Sequence, residues 1–413
     1  MNGKKKVFYG WFIVVSCVLI MALAYAPLVS CASLFITPIT EDLGFARSAY
    51  TLASSISTLV MIVLSPFVGK IMSQKCMHKV LVISVAGVAV SYGMFSVANT
   101  LAAFYIIAVF VGIFASASTM LPVSIVITNW FQKQRGLAMS IAMAGSGIGG
   151  ALLSPIIAKL ITEQGWRQTY VILAVLMFVV LVPVAALIIR QKPEDKGLVP
   201  YGYGENSNVK AASKEKEWNV SLKELRKMSV FWMFIIGIAL ISVTGAIISH
   251  IPSAITDAGY SAAKAASIVS LYLAIAVPGK LVLGHVFDKY GAKAGILFGN
   301  TAFILAVIML LFIDRSEMML YIMAVIFGFG TCIGTVSGSV LTSKLFGAEH
   351  YAETYGFVSV FVNAGFAVGS PMIAATYDMT GSYHTAWIIV AVLAVLMTVL
   401  LLSSAVKAKQ NAR

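Results

Sequence analysis

The segment GHVFDKYGAK, residues 284–293, separates two long apolar runs of this 413-residue chain, at 265–287 and 293–313. It leaves room only for a short connection between two helices. A similar basic segment, GKIMSQKCMHK at 69–79, lies 215 residues earlier and also separates two apolar runs. Similar connections at a fixed offset indicate that the chain consists of two related halves.

The composition excludes a soluble protein. Sixty per cent of the residues are hydrophobic and 11% are charged, whereas soluble domains contain about 25% charged residues. Crossing a bilayer takes about 20 apolar residues in a helix. Twelve runs meet this length and predict an all-α membrane protein with twelve transmembrane helices: 10–36, 49–69, 80–98, 103–128, 136–161, 169–189, 229–255, 265–287, 293–313, 317–343, 354–377 and 384–406.

The positive charges predict the orientation. If both termini are cytoplasmic, 23 of the 29 Lys and Arg residues fall in cytoplasmic segments, five fall outside, and Lys280 lies within a span. This is the distribution that membrane insertion favours. The net charge of +13 therefore reflects topology, and no nucleic-acid partner is expected.

The basic N-terminus followed by a long apolar run predicts an uncleaved first helix. The four cysteines lack metal-ligand spacing, so neither a metal nor a cofactor is expected.

One polar segment divides the chain. Residues 190–228 carry nine Lys or Arg and too few apolar residues to form a core. We therefore predict an N-terminal six-helix bundle at 1–190, a flexible cytoplasmic linker at 191–228 with a short helix near 221–228, and a C-terminal six-helix bundle at 229–413. Two related bundles predict a binding site between them near the membrane midplane.

Lys280 is the residue that most constrains the chemistry. It lies 15 residues into its span, roughly 22 Å from the outer end at 1.5 Å per residue. The interior of the predicted spans contains no Asp or Glu, and an ammonium at this depth costs a few kcal/mol. Two interpretations stay open. Lys280 could reach the cytoplasmic interface, although helix side chains lean the other way, or it could face a cavity and bind an anionic substrate.

Four motifs carry a family resemblance. They are Gly284–Lys293, Pro38–Ser48 (PITEDLGFARS), Asn129–Gly149 (NWFQKQRGLAMSIAMAGSGIG) and Pro193–Pro200 (PEDKGLVP). The first resembles the loop motif between helices 8 and 9 of major facilitator superfamily transporters. The others resemble the bacterial monocarboxylate-transporter and oxalate/formate-antiporter branches. The resemblance covers nearly the whole chain and implies a major facilitator fold, a monomer and a bacterial multi-pass plasma membrane protein.

The resemblance also implies a role for Lys280. It occupies the position where these transporters carry an arginine that holds the substrate carboxylate. The chain departs from the family at Ala276, where animal monocarboxylate transporters have an aspartate, at Ser30, where they have a lysine, and at Val362 and Asn363, where the oxalate antiporter has a basic residue. A single cation fits a monocarboxylate better than a dianion. Proton coupling would then use Lys280 itself or the protonated acid.

Other polar residues in the spans are candidates for substrate contact. Tyr272 lies on the same helical stripe as Ala276, Lys280 and Gly284 and could donate a hydrogen bond to the same anion. Ser and Thr in membrane helices often bond their own backbone instead, and a tyrosine can serve packing. The substrate-binding candidates are Lys280, Tyr272, Asn363, Tyr25, Ser116, Thr119 and Thr331.

A second set of residues is expected to act in gating. By the resemblance, Asp288 caps a helix of the other half near Arg135 and Gly136, whereas Ser73 at the equivalent first-half position has no charge. We therefore expect unequal inward and outward gates. Paired glycines let helices approach closely, either for static packing or for sliding. The gating candidates are Asp288, Gly284, Lys289, Gly291, Arg135, Gly145, Gly149, Gly365 and Gly369, and His250 is a candidate pH-sensitive residue, with an uninvolved interfacial histidine as the alternative.

Together these features predict a secondary transporter that moves a small monocarboxylate, such as lactate, pyruvate or formate, by alternating access. Its partners would be the carboxylate anion, the lipid bilayer and, for a proton-linked symporter, protons. Carboxylate exchange, efflux of an amphipathic compound and a non-transporting anion sensor are the alternatives. The spans lack clustered His, Asp or Cys and the chain lacks a P-loop, so neither an enzyme nor an ATP-driven pump is expected.

Overall fold

A computed structural model describes residues 8–45, 47–73, 77–203 and 220–411. These residues form helices and no β-strand beyond one isolated bridge between Phe131 and Tyr201. The α-helices are α1 Gly10–Ile20, α2 Ile36–Leu43, α3 Arg47–Ser73, α4 Met77–Met94, α5 Leu101–Ser116, α6 Met120–Trp130, α7 Arg135–Pro183, α8 Leu222–Leu225, α9 Ser229–Gly245, α10 Ile251–Asp257, α11 Ala262–Leu310, α12 Glu317–Gly330, α13 Cys332–Phe346, α14 Tyr351–Thr380 and α15 Tyr383–Asn411.

Ten continuous helical segments of the described chain are long and apolar enough to cross a membrane. Two of them, Arg135–Ile188 and Ser267–Leu310, contain 54 and 44 residues. Each is interrupted by a glycine with positive φ, Gly165 at 80° and Gly291 at 83°. Because left-handed backbone ends a helix and glycine adopts it without strain, each segment divides into two crossings. The twelve predicted spans are thereby accounted for.

The spans expose apolar side chains outward. On α3, Val63 is 64% exposed and Phe67 is 61% exposed. Side chains of this kind facing away from the protein are expected where the surrounding solvent is lipid. The all-α membrane fold predicted from the sequence is confirmed.

Helix geometry departs from a regular α-helix within several spans. The first span continues from α1 as a π-helix, Met21–Ser30, which contains Pro27. Proline lacks the backbone donor of a regular helix and clashes with the preceding turn. The fourth span is broken between α5 and α6, and the tenth between α12 and α13. π-Helical turns and broken helices are frequent at functional sites in membrane proteins.

The chain forms two compact units. The first unit comprises Met1–Lys133 and Ile141–Asn208, and the second comprises Gln134–Ser140 and Val209–Arg413. In the first unit α3 packs mainly on α5, and α4 packs on α5. In the second, α11 packs on α12 and α15, and α9 packs on α14 and α15. The first turns of α7 therefore belong to the second unit, whereas the rest of that helix belongs to the first.

The start of the predicted linker is held against the first unit. The Tyr201 N–H donates to the Trp130 carbonyl at 2.9 Å, and its carbonyl accepts from Gln132 and Lys133 at 3.1 and 2.9 Å. The Trp130 indole N–H also donates to the Arg190 carbonyl at 2.9 Å. We call residues 190–203 the strap. This part of the predicted linker thus makes specific hydrogen bonds, and α8 lies where the short helix was expected, near 221–228.

Candidate functional site

Lys280 lies inside the second unit. It is 7% exposed and is the only charged residue among the buried side chains of the described chain. The neighbouring Gly279 packs on Cys332, whose Sγ would lie 2.9 Å from an added Cβ. The Cys332 thiol donates to the carbonyls of Gly328, at 3.0 Å, and Ala276, at 3.3 Å. A side chain that extended to the interface would be exposed, so the burial of Lys280 argues against that alternative.

The stripe that contains Lys280 is buried along its length. Tyr272 is 2% exposed, Ala276 is 6% exposed and Gly284 is also buried. The Tyr272 ring packs edge-on against Phe327, with ring centroids 5.1 Å apart. The Tyr272 ring thus packs within the second unit, and substrate binding by its hydroxyl stays a prediction.

Three of the predicted polar candidates lie at the two helix breaks. Ser116 ends α5, Thr119 precedes α6, and Thr331 joins α12 to α13. The hydroxyl of Ser116 donates to the Ile113 carbonyl at 2.6 Å, and that of Thr119 to the Ala115 carbonyl at 2.8 Å. Both hydroxyls therefore bond their own helix, although their oxygen lone pairs can still accept a hydrogen bond.

Two further candidates differ in their surroundings. Asn363 is half-buried in α14, and its Nδ2 donates to the Ser359 carbonyl at 2.9 Å. Tyr25 lies in the π-helix of the first unit and lines a cavity there. Among the residues that the structure describes, none hydrogen-bonds the Tyr25 hydroxyl. Tyr25 can thus offer its hydroxyl to a ligand.

Asp288 caps the N-terminus of α7. Its Oδ1 accepts from the Gly136 N–H and its Oδ2 from the Leu137 N–H, both at 2.8 Å. A carboxylate there compensates unpaired backbone donors and interacts favourably with the helix dipole. The Lys344 ammonium, in the last turn of α13, lies 3.7 Å from Oδ1. Arg135, the first residue of α7, is half-buried beside this cap.

The predicted glycines lie at close helix contacts. An added Cβ on Gly284 would come within 2.5 Å of the Gly136 carbonyl oxygen. In the first unit Gly145 packs on the Val18 carbonyl, and in the second unit Gly365 packs on the Ala239 carbonyl, each at 2.5 Å from an added Cβ. Gly149 and Gly369 make the same kind of contact one turn later, with the carbonyls of Ala22 and Val243. Each unit thus contains helices that touch through backbone.

Two remaining gating candidates lie at the turn after Asp288. Lys289 is exposed, and its ammonium lies 5.2 Å from the centre of the Tyr290 ring. Gly291 forms the turn itself, with φ 83°. Their positions define where α11 divides into two crossings.

His250 lies between α9 and α10 and is half-buried. Its Nε2 is 3.0 Å from the Ser370 hydroxyl, and its ring lies 6.0 Å from that of Tyr383. Burial lowers the pKa of His250 below its ordinary value, and the hydrogen bond with Ser370 partly offsets this. The imidazole is therefore favoured in its neutral form.

Sequence reasoning missed two sets of residues. One is Lys344, which joins the Asp288 cap. The other is a group of tyrosines, Tyr50, Tyr92 and Tyr170, that line a cavity of the first unit with Tyr25. Tyrosines at the ends of spans usually indicate an interfacial aromatic belt, so their positions alone did not distinguish a cavity. No group of three or more His, Cys, Asp or Glu in the described chain could hold a metal ion.

Comparison with known proteins agrees with this architecture. The sequence profile of the Major Facilitator Superfamily matches residues 12–314 and 255–413. The chain is 24% identical to the uncharacterized MFS-type transporter YhjX of Escherichia coli K12 over 345 residues, covering 82% of this chain and 80% of the relative. It is also 24% identical to monocarboxylate transporter 12 of Homo sapiens over 435 residues, covering 95% of this chain and 80% of that protein.

Solved structures share the fold. The crystal structure of the Escherichia coli fucose:proton symporter FucP superposes with a TM-score of 0.71 at 12% identity, covering 96% of this chain and 99% of FucP. FucP in an outward conformation gives a TM-score of 0.67 at 11% identity, with coverage of 95% and 97%. The profile covers nearly the whole chain and the fold agrees with it. The chain belongs to the Major Facilitator Superfamily and is a multi-pass plasma membrane transporter, not an enzyme.

Proposed function

We propose that the protein transports a small monocarboxylate, such as lactate, pyruvate or formate, by alternating access, with Lys280 binding the carboxylate. The observation that carries the proposal is the burial of Lys280, which is 7% exposed. Desolvating an ammonium is unfavourable unless an anion or other polar groups compensate it. A substrate carboxylate supplies such compensation through a charge-assisted hydrogen bond.

The relatives support this substrate class. They include monocarboxylate transporters 12 and 13, of Homo sapiens and Rattus norvegicus, at 24% and 23% identity. The single buried charge of Lys280 also favours a monocarboxylate, because one buried cation neutralises one carboxylate. A dicarboxylate would leave its second charge without a buried counter-ion.

Gating would be unequal at the two ends. In this proposal Asp288 holds the start of α7 in one access state and releases it in the other. Helices would then slide along the contacts made by Gly284, Gly145, Gly149, Gly365 and Gly369.

The excess of Lys and Arg in the loops on one side supports cytoplasmic termini.

We propose proton-linked symport, in which the proton gradient supplies the energy, and carboxylate exchange is the second candidate mechanism. Ala276 favours exchange, because the aspartate that accompanies the substrate cation in animal monocarboxylate transporters is absent here. Without it, proton coupling depends on Lys280 or on the protonated acid. An exchanger needs only a carboxylate on each side.

The test is uptake of labelled L-lactate into proteoliposomes under an inward proton gradient. We expect gradient-dependent accumulation by the wild type and its loss in Lys280→Ala. Lys159→Ala is the matched control, because Lys159 has a 73% exposed side chain and should transport normally. Normal uptake by a folded Lys280→Ala variant would contradict the proposal. Uptake that requires internal lactate and ignores the proton gradient would favour exchange.

A further inference from the structure

The first unit contains a cavity of about 430 Å³. This volume lies in the range of roughly 300–1,000 Å³ typical of small-molecule sites. Its wall is formed by the π-helix of the first span and by parts of α3, α4, α5 and α7. All the residues that line the cavity belong to the first unit.

The cavity wall carries no charged side chain among the described residues. An ion moved into such a place would lose its hydration without a counter-charge, which is strongly unfavourable. The occupant that this wall accepts is therefore uncharged. This property distinguishes the cavity from the surroundings of Lys280, which favour an anion.

One side of the cavity is aromatic. Tyr170 packs edge-on against Tyr92, with ring centroids 4.9 Å apart, and lies 5.3 Å from the ring of Phe95. The hydroxyls of Tyr50 and Tyr170 are 3.3 Å apart. Ring faces and edges fixed in this way can stack on another aromatic ring.

The cavity wall also offers hydrogen-bond acceptors. The hydroxyls of Ser54 and Thr58 donate to carbonyls of α3 at 2.7 and 3.0 Å, and that of Thr119 donates to a carbonyl of α5 at 2.8 Å. Each oxygen keeps a lone pair that can accept from a ligand. The Tyr25 hydroxyl, which has no partner among the described residues, can both donate and accept. An acyl chain would use none of these groups.

We propose that this cavity binds an uncharged aromatic molecule that carries a hydroxyl group. The ring lies against Tyr92 and Tyr170. The ligand hydroxyl accepts from Tyr25 and donates to one of the Ser or Thr oxygens. The site is a second binding site, separate in chemistry from a carboxylate site.

The experiment measures equilibrium binding of tritiated 4-methylphenol, which is uncharged at pH 7, to the full-length protein in lipid nanodiscs. We expect saturable binding above the partitioning into empty nanodiscs. Tyr25→Phe removes one hydrogen bond and should weaken binding by about two- to tenfold. Lys280→Ala should leave it unchanged.

Two leucine substitutions provide a matched pair. Ser54→Leu fills the cavity and should remove saturable binding, whereas Ser55→Leu changes the adjacent exposed residue of α3, which does not line the cavity. Thermal unfolding and gel filtration confirm that each variant is folded, and Thr58→Leu replaces Ser54→Leu if the latter is not. Equal binding by the wild type and the filled variant would overturn the proposal. So would displacement by 1-octanol with no effect of Tyr25→Phe, because the cavity would then hold any apolar chain.

Discussion

The two halves of the chain repeat one helical stripe with different charges. The stripe occupies three positions, four residues apart, and its two copies lie 215 residues apart. The copy in α3 is Ser65, Gly69 and Ser73, and the copy in α11 is Lys280, Gly284 and Asp288. The glycine is common to both, and only the second copy is charged.

The local contacts explain how both copies are tolerated. Ser65 is buried and donates to the Met61 carbonyl at 2.7 Å, and exposed Ser73 donates to the Lys70 carbonyl at 2.7 Å. Each serine is satisfied within its own helix. Asp288 instead bonds two backbone N–H groups at the start of α7. The repeat thus preserves the backbone framework, while within this stripe only the second copy carries charged residues.

Lys280→Ser makes the second stripe like the first and should have the largest effect. Loss of a charge-assisted hydrogen bond of about 1.5–3 kcal/mol corresponds to a roughly 10–100-fold decrease in apparent affinity for L-lactate. The measurement is concentration-dependent uptake in proteoliposomes. Ser65→Ala is the control and should transport like the wild type. Unchanged affinity in Lys280→Ser would show that the asymmetry has no role in substrate binding.

Asp288→Asn removes the charge of the cap while keeping its shape. The asparagine oxygen can accept from only one of the two backbone N–H groups at the α7 N-terminus, because Nδ2 is a donor. One hydrogen bond is therefore lost, the other loses its charge assistance, and Lys344 loses its counter-ion. We expect a loss of about 1–3 kcal/mol of stability, visible as a fall of several degrees in the thermal midpoint in detergent. Asp314→Asn, at an exposed position, should leave the midpoint unchanged. Equal midpoints for Asp288→Asn and the wild type would remove the proposed role of the cap.

Ser73→Asp gives the first stripe the charge that it lacks. If this carboxylate meets a helix N-terminus in one access state, as Asp288 does, it contributes about 0.3–1 kcal/mol, enough to shift the proportion of two access states by about two- to fivefold. Spin labels at Lys79→Cys and Lys293→Cys, both exposed positions, would report the shift as a change in distance distribution. Ser73→Asn is the uncharged control. A distribution identical to that of the unsubstituted protein would mean that the charge difference does not set the gates.

His250→Gln tests a titratable group of the second half and should have the smallest effect. Because burial lowers the folded-state pKa of His250, the unfolded chain binds the proton more readily. Its contribution to stability is therefore present above the ordinary pKa of about 6.5 and is lost as the pH falls through the folded-state pKa. The wild type should lose more of its thermal midpoint between pH 7.5 and 5 than His250→Gln. Parallel pH profiles for the two proteins would exclude this role.

The fold could be predicted from the sequence because it depends on properties of whole segments: the length of each apolar run and the distribution of Lys and Arg between the loops. Twelve runs and one repeated loop predicted the helices, and Gly165 and Gly291 mark the two turns that join them closely. The close helix contacts at the glycines were also predictable, because glycines four residues apart on one helix usually mark a place where another helix approaches closely. These properties depend on residue type alone.

The individual site residues were harder to predict because their role depends on neighbours from distant helices. Tyr272 could bind an anion or pack on Phe327, and the stripe pattern is the same in both cases. The strap was predicted to be flexible because its composition is polar. It makes specific backbone hydrogen bonds, from Tyr201 to Trp130 and Lys133, which composition does not encode.

The strap has a consequence for synthesis of the protein. A ribosome makes Trp130 60 residues before Arg190 and about 70 residues before Tyr201, and N-terminal parts of a chain fold first. Until Tyr201 has left the ribosome, the Trp130 carbonyl and the N–H groups of Gln132 and Lys133 cannot make the hydrogen bonds that they form with Tyr201 in the folded protein. The first six membrane spans are thus made before the hydrogen bonds between the strap and residues 130–133 can form. A fragment of the first unit that is intended to fold alone should therefore extend through Tyr203.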